Sequence, residues 1–249
     1  MADFKYKNGQ YDNPNGLHGV PAWRIAGFAL NNSSTNCYLF MTWYVSYYLM
    51  GFVGAGMVLA GSFAMITRIW DGITDPFIGL IVDRTNSKFG KNRPFMVIGN
   101  VTMFVTTFLM YNLTPLMPDG FKLVWFFIVN AVFYLGYTCQ CIITKSGQSC
   151  LTNDPKQRPI FGVVDGICTS AVFALGEMWV SISLVPKYGQ LASLGLFREM
   201  SLTMGIISFA LMLIALVSIA PKDNIKYFGT GQAQKIGIKD YIDVLMHNR

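Results

Sequence analysis

Two carboxylates and a guanidinium lie close together in Arg68-Ile-Trp-Asp71-Gly-Ile-Thr-Asp75-Pro76, inside an otherwise apolar run. Arg68, Asp71, Asp75 and Gly79 recur at intervals of three and four, so a helix presents them on one face. Ionised groups are costly in hydrocarbon, and acids placed there mark ion or proton pathways by default. Pro76 has no amide hydrogen and leaves the carbonyl of Gly72 without its helical donor. Asp71, Asp75, the Thr74 hydroxyl and that carbonyl make an oxygen-rich neighbourhood suited to a hard cation or a shared proton. The competing role is structural, an arginine–aspartate pair stitching helices together. A second acid one turn away favours the ion site.

Other polar groups interrupt apolar runs. Gly79 and Asp83 are one turn apart, so Gly79 admits a neighbouring helix. Asp83 falls at a helix end where the dipole disfavours an anion, and Arg84, Lys88, Lys91 and Arg93 are candidate partners. That arrangement reads as a latch, or as a basic loop that fixes topology. Asn31-Asn32-Ser-Ser-Thr35-Asn36 forms a polar stripe that either binds a hydroxylated solute or bonds helix to helix. Tyr38, Trp43, Tyr44, Tyr47 and Tyr48 follow, as packing or interface aromatics with some capacity to stack on sugar faces. Lys145 and Asp165 are expected at similar depth on adjacent helices, where they pair; the alternative is that Lys145 snorkels to the surface. Glu177 is expected near the far interface and carries little weight.

The elements that position these groups are membrane helices. Of 249 residues 53% are hydrophobic and 13% charged, against about a quarter charged in soluble domains. Six stretches are long and apolar enough to span: 23–49, 53–82, 94–115, 122–147, 159–184 and 199–220. A short break near Met50-Gly51 predicts a tight hairpin of the first two. With the N-terminus inside, Lys122, Lys187 and Arg198 are the loop cations left outside, so both ends are expected in the cytoplasm. The net charge of +6 therefore reads as topology and not as nucleic-acid binding. Residues 1–22 form a cytoplasmic segment without a cleavable leader, and 221–249 a cytoplasmic tail in which Tyr241, Val244 and Leu245 make a weak amphipathic helix. The five cysteines fall in apolar runs without a zinc spacing, and His18 and His247 lie near opposite ends. No His-Glu-x-x-His, Gly-x-Ser-x-Gly or nucleotide-binding loop is present, so an enzyme is not expected.

Arg68-Ile-Trp-Asp-Gly-Ile-Thr-Asp-Pro-Phe-Ile-Gly-Leu-Ile-Val-Asp83 and Lys88-Phe-Gly90-Lys91-Asn-Arg93-Pro resemble the glycoside–pentoside–hexuronide:cation symporters, typified by melibiose permease, within the major facilitator superfamily. The stretch from Gly79 to Arg93 resembles that superfamily's cytoplasmic loop signature. Leu151 to Arg158 resembles the loop after helix four, and Asp240 to Arg249 the linker before helix seven. The resemblance implies a cation site at Asp71 and Asp75 with Thr74, for sodium, lithium or a proton and with no other cofactor. It places Gln140 where helix four contributes a cation-site hydroxyl. The family's sugar-binding aspartates align with Thr35 and Ile143, which shifts recognition toward another glycoside, or toward an anionic sugar held by Lys145.

The expected architecture is an all-α membrane protein whose six transmembrane helices form the N-terminal half of a major facilitator fold. Its expected role is sugar or glycoside symport in the cell membrane by alternating access. Asn32, Thr35, Asn36 and Lys145 are the candidate substrate contacts. The sequence stops at Arg249, where a seventh helix would begin. A separate C-terminal half or a second copy of the chain is therefore the expected partner. The alternative is a membrane-embedded interaction protein derived from such a symporter and inactive in transport.

Overall fold

The structure is a computed structural model that describes residues 11–12, 17–85, 87 and 89–224. The predicted amphipathic segment around Tyr241, and Lys88, lie outside the described residues, as do the side chains of Asp83 and Arg84.

Six helices of 17 residues or more dominate the described residues: α1 Ala22–Thr42, α2 Met57–Arg84, α3 Asn92–Phe108, α4 Asp119–Leu151, α5 Arg158–Trp179 and α6 Leu194–Ile219. They coincide with the six apolar stretches. Breakers separate them. Left-handed Gly54, Gly90 and Gly189 (φ 75°, 98° and 78°) stand before α2, α3 and α6. Pro118 precedes α4 and Pro159 opens α5, where a missing amide costs no helical bond. Helical turns prolong α1 to Val53, α3 to Leu116 and α5 to Tyr188.

Among the described residues four rods are long and apolar enough to cross a membrane: Asn92–Leu116, Asp119–Leu151, Arg158–Tyr188 and Leu194–Ile219. α1 and α2 fall short because their centres carry the Asn31–Asn36 stripe and the Arg68–Asp75 charges.

α1 is the axle of the bundle, packed on α6, α5, α4 and α3. α3 lies on α4 and α6. The tight hairpin expected of the first two helices does not form along their length. α2 instead leans on α4 and meets only the prolongation of α1 after residue 44. The chain breaks at Gly54–Gly56 and not at Gly51, which swings α2 away from α1.

α3 and α4 cross at Gly99 and Gly136. A Cβ on either would come within 3.0 Å of the other's carbonyl oxygen or closer, so no side chain fits between the backbones. At the end of the bundle where α2 starts, Tyr48, Phe63, Tyr111, Phe126 and Phe197 form an aromatic core, and Tyr48 donates to the Met110 carbonyl at 2.9 Å. At the opposite end, where α1 starts, Ile25, Phe28, Val82, Met96, Ile143, Phe161 and Ile219 pack together.

Residues beside the expected terminal segments belong to the fold. Asn153 Oδ1 accepts from the His18 amide at 2.7 Å, and Gln157 brackets Val20 with bonds to its amide and carbonyl. Lys222 and Asp223, expected in the soluble tail, are buried.

Candidate functional site

The α2 acids differ in their surroundings. Asp71 is half-buried, and its Oδ1 accepts a hydrogen bond from Thr138 Oγ1 of α4 at 3.0 Å. Asp75, one turn on, is exposed and has no hydrogen bond or ion pair among the described residues. Arg68 lies within electrostatic reach of Asp71, yet it forms no ion pair with either acid among the described residues. Thr74 is buried and donates to the Asp71 carbonyl at 3.1 Å. α2 runs unbroken through Pro76, so the Gly72 carbonyl still lacks its helical donor beside the two acids.

α2 and α4 run parallel here. Asp71 meets Thr138, and further along both chains a Cβ on Gly79 would stand 4.0 Å from Ile142. Lys145 follows Thr138 by seven residues, about two turns of α4, so the exposed Lys145 lies on the face that meets α2.

Gln140 does not join them. It is fully buried on the α3 side and donates from Nε2 to the Met96 carbonyl at 2.6 Å. The hydroxyl that meets Asp71 belongs to Thr138, two residues earlier. In a helix that shift turns the side chain by about 200°, from one neighbour to the opposite one. An ungapped alignment misses this, although the hydroxyl type was the available signal.

The α1 stripe spends most of its polar groups on other helices. Asn31 Nδ2 donates to Thr144 Oγ1 at 3.1 Å, and Ser208 Oγ of α6 donates to the Ser34 carbonyl at 2.7 Å. Thr35 is buried and donates to its own helix at the Asn31 carbonyl, 3.2 Å away. Asn32 donates to Asp165 and Asn36 to Thr169 of α5, both at 2.8 Å. Tyr44 donates to Glu177 Oε2 at 2.5 Å. All three of these pairs are 133 residues apart, so α1 and α5 run parallel in constant register along one seam.

The expected Lys145–Asp165 pair is therefore corrected. No ion pair joins them among the described residues, and the partner of Asp165 is Asn32. The physical reason is that α5 packs on α1 and not closely on α4, which leaves Lys145 facing the α2 acids.

Three of the latch residues, Gly90, Lys91 and Arg93, gather around a group that sequence reasoning passed over. Asp223, just beyond α6, inserts a carboxylate with no exposed side-chain surface at the start of α3. Its oxygens accept from the backbone amides of Lys91, Asn92 and Arg93 at 3.0–3.2 Å. Asn92 Nδ2 adds a bond at 3.0 Å and Arg93 Nε one at 3.3 Å. A Cβ on Gly90 would collide with this carboxylate at 2.1 Å, so glycine is required there by contact as well as by its positive φ. Arg93 thus pairs with Asp223. The signal was Asp223 itself, an acid placed directly after a helix end, where it is disfavoured unless another helix start receives it.

A family model described as MFS/sugar transport protein matches residues 34–249. The chain is similar to the glucuronide carrier protein homolog of Escherichia coli (strain K12), 28% identical over 155 residues that cover 61% of this chain and 34% of that protein. It is similar to the uncharacterized symporter YnaJ of Bacillus subtilis (strain 168), 34% identical over 113 residues, 45% of this chain and 24% of that one. It also resembles the isoprimeverose transporter of Lactiplantibacillus pentosus, 25% identical over 137 residues, 55% of this chain and 28% of that one. These matches reach about a third or less of each relative's length. The family match over most of the chain, the apolar rods and the symporters among its relatives identify a multi-pass membrane protein of the MFS sugar-transport family, in the glycoside–pentoside–hexuronide:cation symporter group.

Proposed function

We propose that the chain supplies the N-terminal six-helix half of a sugar or glycoside:cation symporter. In this reading residues 23–220 form the membrane domain, α1 and α2 cross the bilayer with the other four rods, and both termini face the cytoplasm of a cell membrane. The coupling ion, sodium, lithium or a proton, binds between Asp71 and Asp75. The observation that carries the proposal is Asp75, an exposed carboxylate without a hydrogen-bond or ion-pair partner among the described residues, one turn from an acid already oriented by Thr138. Free oxygen ligands on a rigid helix beside a dry flank are what a hard cation needs. Thr74 and the Gly72 carbonyl complete the oxygen set from α2, with Thr138 from α4. Gln140 faces away and takes no part.

A solute binds across the α1 seam and the α4 face, with Asn32, Asn36 and Lys145 as contacts. Thr35, buried and bonded to its own helix, serves packing. Relatives named for a glucuronide and for isoprimeverose support a glycoside as the solute. Asp75, Lys145 and Glu177 are exposed on helices that lie in hydrocarbon, which supports a second six-helix unit closing over them. Cation and solute then favour the same closed state, so each must raise the affinity of the other by the same factor.

The test is the melting temperature of the purified chain titrated with sodium, lithium and acid. One of them should raise it, by mass action on the folded state, and Asp75→Asn should abolish the rise. A chain that ignores all three, or an Asp75→Asn variant that responds like the parent, would refute the cation site.

A further inference from the structure

The α1–α5 seam changes character along its length. Its rungs at Asn32–Asp165 and Asn36–Thr169 are small and polar. One turn further, Phe173 stacks on Trp43 with ring centroids 4.6 Å apart and planes 30° from parallel. Phe40 packs edge-on against Phe173, and Tyr44 packs edge-on against Phe40. Trp43 is nonetheless 61% exposed, so one face of the indole remains open after Phe173 has taken the other. Next along α5 comes Glu177, also exposed, fixed through Oε2 by the Tyr44 hydroxyl. Its Oε1 has no donor among the described residues, and no cation is paired with it there.

An indole belongs at the membrane interface on general grounds, but an unneutralised carboxylate beside it does not. The phenol holds the carboxylate through a hydrogen bond and Phe173 holds the indole through a ring stack, so neither is left as a mobile tip. That combination, a flat apolar face with a fixed anionic acceptor at its edge, matches the amphipathic form of a pyranose. The sugar's C–H face covers the indole while adjacent hydroxyls donate to the carboxylate. A uronate would bring a second negative charge against Glu177 and be disfavoured.

We infer that Trp43 and Glu177, with Tyr44 and Phe173 holding them in place, form a subsite for an uncharged glycosyl ring at the end of the bundle remote from Asp223. This rests on the transport reading and narrows it, from glycosides in general to neutral ones at this end. The subsite lies wholly within α1 and α5 and their continuations, so the chain should bind sugar without a second half.

Saturation-transfer NMR on the purified chain, with methyl β-D-glucopyranoside and methyl β-D-glucopyranosiduronate as probes, tests it. The neutral probe should bind more tightly than the anionic one. Trp43→Ala should weaken neutral binding by about fivefold or more, and Trp43→Phe should restore most of it. Glu177→Gln should shrink the preference for the neutral probe. Trp23→Ala, at the other end of α1, should change nothing, and all variants should melt like the parent. A Trp43→Ala variant that binds as tightly as the parent overturns the subsite and leaves the transport reading intact. Equal binding of both probes by the parent does the same. A parent that binds neither overturns the subsite and removes glycoside binding from the transport reading as well.

Discussion

Asp223 and Asp75 are both aspartates in an apolar bundle, and the protein treats them in opposite ways. Asp223 is sealed, with its oxygens shared among three backbone amides, an asparagine and an arginine. Asp75 is open, without a donor among the described residues. A carboxylate saturated by fixed donors gains nothing from an added cation, whereas a bare one beside hydrocarbon has every reason to take one. Charge is thus divided between a structural knot at the start of α3 and an open acid on α2, and hydrogen bonding tells them apart where residue type does not.

The largest effect should come from breaking the knot. Asp223→Ala orphans the buried amides at the start of α3 and leaves Arg93 unpaired, which should cost about 3–5 kcal/mol in chemical unfolding. Gly90→Ala should follow, destabilising by about 1–3 kcal/mol from its left-handed backbone alone, with the steric clash added. Asn32→Leu removes the donor from Asp165 and should cost about 1–3 kcal/mol. Asp75→Asn should leave unfolding within about 0.5 kcal/mol of the parent while it abolishes cation-dependent stabilisation. If Asp75→Asn instead destabilises as strongly as Asp223→Ala, the contrast between the two acids is wrong. The smallest and most discriminating change is Thr138→Val. It should shift the cation midpoint several-fold through the lost bond to Asp71, with Gln140→Met leaving that midpoint unmoved.

The long helices, four of them apolar enough to cross a membrane, were legible because length and apolarity are summed over some twenty residues, and Gly54, Gly90, Pro118 and Gly189 punctuate them plainly. The shared face of Asp71 and Asp75 was legible because 3.6-residue periodicity is local. What periodicity leaves out is which helix lies opposite. Lys145 and Asp165 stand on helices that are neighbours in the chain but not in space, because α1 is the surface on which α5 packs. Gln140 and Thr138 differ by two positions in sequence and by nearly half a turn in direction. Asp223 escaped notice because its partners are backbone amides, which every residue carries and no side-chain motif reveals.

The constant register between α1 and α5 has a mechanical consequence. α5 touches the bundle almost entirely through α1, and the greater part of its surface is uncovered. Its ties are neutral or singly charged hydrogen bonds at regular heights, with no side-chain hydrogen bond or ion pair to α4 among the described residues. Such a helix can swing about α1 as a door leaf swings on its post. The glycine crossing of α3 and α4, by contrast, keeps the frame rigid. Any opening of the bundle then begins at α5, and its backbone amides should exchange with solvent well before those of α4.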